Sequence, residues 1–432
     1  MKPSAVRRIH ARQVLDSRGR PTVEADVELA GGASGRASVP AGASTGSAEA
    51  RELRDADPHR YAGRGVLRAV AGVNGEIARR LLGQDAHDQP ALDRALRELD
   101  GTATLERLGA NAVLAVSIAA CRAAAASRGQ PLHIRIGELA GVANAVLPLP
   151  MVNILSGGLH ARGGMDIQDF LVIPRRADSY GEALHAISRL RDAAVDVVAA
   201  RGNPTLLADE GGLSPGCRTG GEALRILVQC IERAGLRPGE DVLIAIDVAA
   251  SGLRAPDGGY RFAAAGRHFS APELVEELEG WTREFPVASI EDGLGEEDWP
   301  GWKTLSDKLG GRIQLVGDDL FTTSVARLEQ GIAQGIANAV LVKPNQNGTL
   351  SGTLEVIARA RAAGYATVVS ARSGETEDAF IADLAVGSAA GQIKIGSLRT
   401  SNTMAKYNQL LRLEESVAHY AGAGALHGDW GR

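Results

Sequence analysis

Six short apolar runs in the second half of the chain each end in a charged or hydroxyl residue. The end residues are Asp247, Glu291, Asp318, Lys343, Ser370 and Lys394. They are separated by 44, 27, 25, 27 and 24 residues, which is about what one strand, one crossover helix and two loops occupy. Continuous apolar runs rich in Val and Ile are typical of buried parallel strands. The spacing therefore predicts repeated β/α units that close into a barrel.

The polar residues at these strand ends are predicted to meet. In a β/α barrel the carboxyl ends of the strands are exposed at one rim and carry the chemistry, because the rest of each strand is packed. Taken singly, an acidic residue at a strand end could instead cap the next helix. Two lysines at the same level do not fit that alternative, since lysine is a poor helix cap and is rarely buried without a partner. The set of three carboxylates and two lysines predicts a metal site facing a base.

Length and charge limit the classes of protein that this chain can belong to. A chain of 432 residues is too long for one ordinary core and predicts two domains. The net charge of −5, with no basic block, argues against a nucleic-acid partner. The N-terminus lacks the apolar core of a signal peptide, and the apolar stretch from Asn111 is interrupted by Arg122, as in a packed helix. We therefore expect a cytoplasmic protein without a membrane partner.

The first part of the chain has a different pattern from the rest. Residues 7–40 alternate polar and apolar side chains around a Gly-rich turn, which predicts an antiparallel meander of about three strands. Helical patterns follow at 66–83 and 109–129. The sequence thus predicts helices packed on a small sheet before the barrel begins.

These patterns predict an α/β protein of two parts. We expect a smaller α+β N-terminal capping domain at 1–140 and a β/α barrel catalytic domain at 145–432. The loop at about 40–48 is rich in small residues, which is typical of mobile lids that close on a substrate. A solvated turn is the alternative interpretation of that loop.

Seven segments of the chain resemble one known family. They are DSRGRPTVEADV from Asp16, AGASTGSAEARELRD from Ala41, ADEGGLSP from Ala208, SIEDGL from Ser289, QLVGDDLF from Gln314, RSGETEDAFIADLAVG from Arg372 and GQIKIGS from Gly391. In content and order they are similar to the motifs of the enolases, up to about Gln409. The resemblance implies an enolase-type barrel and the dehydration of 2-phosphoglycerate to phosphoenolpyruvate with two Mg²⁺ ions per active site.

The resemblance also implies roles for individual residues. Asp247, Glu291 and Asp318 match the ligands of the first metal ion, and Ser44 in the loop matches a ligand of the second. Lys343 matches the base that removes the C2 proton. A free lysine is protonated at pH 7, so we expect neighbouring cations, Lys394 and the metals, to lower its pKa. Since the enolases remove a proton next to a carboxylate, metal ions acting as Lewis acids suit the reaction.

The remaining matched positions concern the leaving group and the substrate. Glu210 matches the acid that protonates the departing hydroxyl group. The substrate-binding positions are His160, Gln168, Asp169, Lys343, Arg372, Ser373 and Lys394, with Arg372 and Ser373 at the phosphate and Lys394 at the carboxylate. Taken alone, His160 could be a satisfied buried histidine, Gln168 could satisfy backbone groups, and Arg372 could pair with Glu375 or Glu377. Enolases are commonly dimers or octamers, so we expect a homodimer or homo-octamer and a small phosphorylated acid as substrate.

Several positions near the expected site depart from the usual enolase pattern. Ala371 stands where the family has His, Asp169 where it has Glu, Ser156 where it has Asn, and Ala41 where it has Ser. Pro344 and Arg20 also depart from it. The first, second and fourth changes shorten a side chain and predict a roomier pocket. One alternative is therefore a paralogue acting on a bulkier acid, such as a carboxyphosphonoenolpyruvate synthase of phosphonate antibiotic biosynthesis. Another is an inactive scaffold, but the metal ligands and base that such a protein would lose are retained.

Overall fold

The N-terminal part of the chain is built on a three-stranded antiparallel sheet. The computed structural model describes residues 2–43 and 45–431. The strands are β1 (Val6–Leu15), β2 (Pro21–Leu29) and β3 (Ser34–Ser38), in the order β1-β2-β3. From Val23 to Leu29 apolar residues are buried and the acidic residues between them are half-buried, so one face of the sheet is apolar. The predicted meander is confirmed.

In the described residues of the N-terminal part, five α-helices follow this sheet, and the fourth of them packs on its apolar face. They are α1 (Leu67–Gly72), α2 (Ala78–Leu81), α3 (Gln89–Asp100), α4 (Ala110–Ser127) and α5 (Leu132–Ala140), with a π-helical turn at Val73–Ile77 between the first two. Helix α4 packs on β2 and β3, where a Cβ on Gly35 would lie 2.2 Å from the carbonyl oxygen of Ala119. By length and composition α4 could cross a membrane, but 83% of it is buried inside the protein. Both predicted helical regions are confirmed.

A closed eight-stranded barrel forms the second part of the chain. Its strands are β4 (Leu149–Ser156), β5 (Asp169–Pro174), β6 (Val242–Asp247), β9 (Val287–Glu291), β10 (Gln314–Gly317), β11 (Ala339–Val342), β12 (Ala366–Ser370) and β13 (Gly391–Gly396). Their order is β10-β11-β12-β13-β4-β5-β6-β9. All six predicted runs are barrel strands, and adjacent ones pair in parallel. The long gap after Asp247 contains an extra hairpin of β7 (Tyr260–Phe262) and β8 (Arg267–Phe269).

One barrel strand, β5, runs opposite to the others. It pairs antiparallel with β4 on one side and with β6 on the other. The chain passes from β4 to β5 through a short 3₁₀ turn at Gly158–Ala161 instead of a crossover helix, and without a crossover the returning strand must be antiparallel. The N-terminal end of β5 therefore lies at the same rim as the carboxyl ends of its neighbours, and Asp169 pairs with Asp247.

The barrel is surrounded by helices whose starts are marked in the sequence. They are α6 (Tyr180–Ala200), α7 (Gly220–Arg233), α8 (Ala271–Glu284), α9 (Trp299–Leu309), α10 (Val325–Gln334), α11 (Pro344–Asn347), α12 (Leu350–Ala362), α13 (Phe380–Gly387) and α14 (Ser401–Glu414). Ser179, Thr219, Ser270, Ser324 and Thr349 each accept a hydrogen bond from the backbone three residues on. These side chains satisfy backbone N–H groups that the first helical turn leaves unpaired.

Apolar side chains fill the inside of the barrel. The inner layer includes Leu149, Met151, Leu171, Leu243 and Leu341, all buried. Because side chains alternate along a strand, the residues that face the barrel axis form a packed core beneath the rim. The polar residues at the strand ends therefore lie directly above a packed apolar layer.

Candidate active site

The sequence-predicted residues converge on a cavity at the carboxyl-end rim of the barrel. The cavity and its mouth together span about 340 Å³, which includes space open to solvent. Its lining includes His160, Gln168, Glu210, Asp247, Lys343, Ala371, Arg372, Ser373 and Lys394. Three further predicted residues contact this lining, as described below: Asp169, Glu291 and Asp318. Ser44 lies outside the described residues.

Lys394, on β13, joins two of the rim carboxylates. Its Nζ lies 2.7 Å from Oδ2 of Asp247 and 2.8 Å from both carboxylate oxygens of Glu291. Burial lowers the pKa of Lys394, but the two carboxylates raise it well above the ordinary value. Burial and the nearby Asp247 charge raise the pKa of Glu291. The three side chains form one buried ionic cluster, in which Lys394 supplies the positive charge that the two carboxylates require.

Lys343 is paired with the third rim carboxylate. Its Nζ lies 2.5 Å from Oδ2 of Asp318, whose Oδ1 accepts a hydrogen bond of 2.9 Å from Nε2 of Gln346. Burial lowers the pKa of Lys343, but the Asp318 carboxylate outweighs it and raises the pKa above the ordinary value. Without a metal ion the pKa of Lys343 is thus raised, although Lys394 and Arg372 act in the lowering direction. The predicted lowering, which also invokes the metal ions, stays a prediction.

The rim offers donor groups of the kind that a divalent cation needs. Asp247, Glu291 and Asp318 are all buried, and carboxylate oxygens are the ligands that Mg²⁺ prefers. Buried carboxylates require a compensating positive charge, which Lys394 and Lys343 provide here. The donor set therefore fits a hard cation at this rim.

Two clusters in the described part of the chain have possible ligand atoms that all lie within 4.8 Å of one another. They are His160, Asp169 and Glu210, and Asp292, Asp318 and Asp319. Asp318 belongs to the second cluster, whereas Asp247 and Glu291 belong to neither. Acidic groups that could hold a metal ion are thus present. Of the predicted trio, Asp247 and Glu291 share Lys394, whereas Asp318 pairs separately with Lys343.

Glu210 lies next to His160 in the lining of the cavity. Nε2 of His160 lies 3.6 Å from Oε1 of Glu210, and its Nδ1 lies 3.0 Å from Oδ2 of Asp169. Burial lowers the pKa of His160, but Glu210 and Asp169 raise it to about 9. Burial, with help from the charge on Asp169, raises the pKa of Glu210. A carboxyl group that holds its proton more firmly is better suited to act as an acid near neutral pH.

Asp169 is held by two polar residues of strand β4. Ser156 donates from Oγ to Oδ1 of Asp169 at 2.9 Å, and Asn153 donates both to the same carboxylate and to Ser156 at 2.8 Å. All three side chains are fully buried. Asn153 is not among the residues predicted from the sequence, although it stands out as a polar residue inside a mostly apolar strand.

Arg372 is anchored by a residue from the N-terminal part of the chain. Its guanidinium forms a two-point ion pair with Glu49, at 3.0 and 3.3 Å, and donates to Oδ1 of Asn345 at 3.1 Å. Glu375 accepts from the backbone N–H of Arg372 at 3.1 Å, so the expected alternative partner binds the main chain. Glu49 was missed because its partner lies 323 residues away. Glu49 follows the small-residue loop, and nothing in the local sequence marks it as buried.

The loop at 40–43 is attached to the turn that carries Ser373. Ala41 and Gly374 exchange two backbone hydrogen bonds of 2.9 and 3.0 Å, and the N–H of Ala43 donates to Oγ of Ser373 at 2.8 Å. Ala371 lies next to this turn and presents a methyl group to the cavity. The loop is therefore fastened to Ser373, which the resemblance assigns to a phosphate group together with Arg372.

Comparison with known families agrees with this architecture. The family model described as "Enolase, N-terminal domain" matches residues 6–136, and that described as "Enolase, C-terminal TIM barrel domain" matches residues 144–427. Together they cover nearly all of the chain. The chain belongs to the enolase family. Membership supports a lyase-type enzyme of the enolase superfamily, with its acidic rim residues available to a metal ion.

Proposed function

We propose that this enolase-family protein is a Mg²⁺-dependent hydro-lyase that dehydrates 2-phosphoglycerate to phosphoenolpyruvate. The observation that carries the proposal is that Lys343 and Glu210 line the same cavity as Arg372 and Ser373. A base, an acid and an anion-binding pair are thus available to one small molecule. That combination is what a β-elimination from a phosphorylated acid requires.

Lys343 is proposed to remove the proton at C2. The C2–H electron pair stays on the substrate as an enolate of the carboxylate, and the proton passes to Nζ. The amine must first be neutral, so its ion pair with Asp318 has to loosen and the ammonium has to release one proton to solvent. Mg²⁺ bound by the rim carboxylates would supply Lewis-acid stabilisation of the enolate, the chemistry for which the family typically uses this ion.

Glu210 is proposed to protonate the leaving group. As the C2=C3 double bond forms, the C3–O bond breaks, and the hydroxyl group takes the Glu210 proton and leaves as water. The buried position of Glu210 and the neighbouring Asp169 favour its protonated form by raising its pKa. His160 contacts both carboxyl groups, and its positive charge limits the rise in the pKa of Glu210.

The substrate's anionic groups are proposed to be bound by different cationic residues of the cavity. Arg372 is buried and oriented by Glu49 and Asn345, and a planar guanidinium suits a phosphate group. Lys394 lines the same cavity beside Asp247, which also accepts from Gln168, and there it can contact the substrate carboxylate. The cavity thus supports one orientation of a phosphorylated acid.

An ultraviolet assay of enol formation tests the proposal. With 2-phosphoglycerate and saturating Mg²⁺, the protein is expected to form phosphoenolpyruvate, and Lys343→Ala is expected to slow it by roughly 10²–10⁴-fold, the usual contribution of a positioned base. Lys303→Ala is the control, since Lys303 pairs with Asp307 on the outside of the barrel. Turnover that survives in Lys343→Ala would refute the assigned base.

A second candidate substrate is a bulkier 2-phosphoglycerate-like acid, such as the substrate of a carboxyphosphonoenolpyruvate synthase. It is favoured by Ala371, which presents a methyl group to the cavity, and by a neighbouring cleft. The cleft spans about 1220 Å³, including space open to solvent, and shares Gln168 with the site. Its lining includes Leu159, Leu253, Arg254 and Arg261.

The variant Ala371→His separates the two candidates. If the natural substrate is larger, wild-type protein is expected to turn over 2-phosphoglycerate poorly, and Ala371→His to improve it by restoring a ring in the pocket. If 2-phosphoglycerate is the substrate, the wild-type rate is already typical of a metabolic enzyme, and the added ring brings no gain.

A further inference from the structure

Arg18 reaches the site from the turn between β1 and β2. Its side chain is 7% exposed. One terminal nitrogen donates to the carbonyl oxygen of Ala41 at 2.9 Å, and the other lies 3.3 Å from Oγ of Ser373. The guanidinium therefore joins three segments that are distant in sequence: the turn, the loop at 40–43 and the serine of the proposed phosphate site.

The hydrogen bonds at Ser373 determine which way its hydroxyl proton points. Oγ of Ser373 accepts from the N–H of Ala43 at 2.8 Å and from Arg18 at 3.3 Å. A serine hydroxyl has two lone pairs and one proton. Since both lone pairs are engaged, the proton is left to donate in the remaining direction, and Ser373 lines the cavity.

We propose that Arg18 is a positioning residue that holds Ser373 as a hydrogen-bond donor to the anionic group of the substrate. The inference rests on the proposed function, because it assigns a phosphate acceptor to the Ser373 hydroxyl. Arg18 itself does not contact the substrate in this proposal. It acts only through the Ser373 hydroxyl.

The packing around Arg18 leaves it little freedom. A Cβ on Gly374 would lie 2.3 Å from a terminal nitrogen of Arg18 and 2.7 Å from the carbonyl oxygen of Ala41. Asp16 holds the turn, because its Oδ1 accepts from the backbone N–H groups of Arg18 and Arg20 at 2.9 and 2.8 Å. The planar guanidinium of Arg18 donates to Ser373 and Ala41 at once. A lysine ammonium lacks this planar two-nitrogen geometry and cannot replace it.

A double-mutant cycle tests the proposal. Binding of 2-phosphoglycerate is measured by calorimetry with Mg²⁺ in a Lys343→Gln background, which prevents turnover. To this background Arg18→Met, Ser373→Ala and the pair are added. We expect each single change to weaken binding about tenfold, as for the loss of one hydrogen bond to a charged group. The pair is expected to bind no more weakly than Ser373→Ala, because Arg18 acts through the hydroxyl.

Two further variants guard against a simple folding effect. Arg18→Lys keeps the charge and the stem and is expected to behave like Arg18→Met. Arg20→Met, in the same turn, is expected to bind as the background does. If the effects of Arg18→Met and Ser373→Ala add, or if either Arg18 variant binds normally, the inference is overturned while the proposed function stands. If the background protein does not bind 2-phosphoglycerate, the proposed function is overturned and the inference with it.

Discussion

At the scale of single residues, the charged side chains of the site are held in pairs away from water. Lys394 joins Asp247 and Glu291, and Arg372 joins Glu49. An isolated charge in such a place costs several kcal/mol. Each of these residues therefore stabilises the fold in addition to its proposed role in the reaction. Replacing either partner of a pair is expected to change both stability and activity.

Replacing Lys394 by Met should make stability depend on metal. The change leaves Asp247 and Glu291 as neighbouring buried carboxylates without their cation, and removal of one partner from a buried pair costs roughly 3–5 kcal/mol. Urea unfolding in EDTA is expected to show that loss, and saturating Mg²⁺ to recover part of it. Equal stability of the variant and the wild type in EDTA would contradict the ionic account of the rim.

Asp383 offers a pH-dependent test away from the site. Burial is the main cause that raises its pKa to about 6. Since the unfolded carboxyl ionises near pH 4, ionised Asp383 favours the unfolded state, and its cost develops as pH rises from about 4 to about 6. Asp383→Asn, which can still accept from Gln409, should therefore unfold at higher temperature than wild type at pH 7.5. The two proteins should match at pH 4.5 in a melting experiment, and a gain independent of pH would be the contrary result.

At the scale of elements, local patterns predicted strands and their ends better than strand direction. The residues that close β6, β9 and β12 were identified because a polar residue ends an apolar run. The direction of β5 could not be predicted in the same way. After Asp169 the strand is apolar and buried to Pro174, and such a pattern is the same for a parallel and an antiparallel strand. Direction depends on the connection that precedes the strand, and it is this direction that brings Asp169 to the rim.

The start of α8 provides a prediction at the element scale. Ser270 and Glu273 form a reciprocal capping box at its N-terminus. Ser270→Ala is expected to lower the free energy of unfolding by about 1 kcal/mol, and Ser270→Asp to retain most of it, since Asp is also a good cap. Urea titration measures both. The enol-forming activity should stay unchanged, and an Ala variant as stable as wild type would show that the cap contributes nothing.

At the scale of the whole molecule, the site exists because the N-terminal part docks on the barrel rim. Glu49, Arg18 and the loop at 40–43 all reach barrel residues in the turn that follows β12. The sequence predicted both architectural classes and most rim residues, because each leaves a local pattern. Glu49 and Arg18 leave none, since their partners are hundreds of residues away and spacing carries no information over such a distance.

The ion pair between Arg122 and Asp378 tests this docking. Arg122 lies on α4, and its two terminal nitrogens bind the Asp378 carboxylate at 2.6 and 2.7 Å. The Arg122 side chain is 23% exposed, so Arg122→Ala is expected to cost roughly 1.5–3 kcal/mol, as for hydrogen bonds to a charged group. Arg128→Ala is the matched control, because Arg128 pairs with Glu138 at the surface and should cost less than about 1 kcal/mol. Denaturant unfolding compares the two, and similar losses would contradict the assigned importance of the docking contact.

Hydrogen exchange at C2 of 2-phosphoglycerate tests the division of labour between Lys343 and Glu210 most directly. The substrate is incubated in D₂O with Mg²⁺ and wild-type, Lys343→Gln or Glu210→Gln protein, and deuterium at C2 is followed by NMR. The account predicts that Glu210→Gln exchanges the hydrogen while forming little phosphoenolpyruvate, and that Lys343→Gln does neither. Exchange that persists in Lys343→Gln, or full dehydration by Glu210→Gln, would contradict the account.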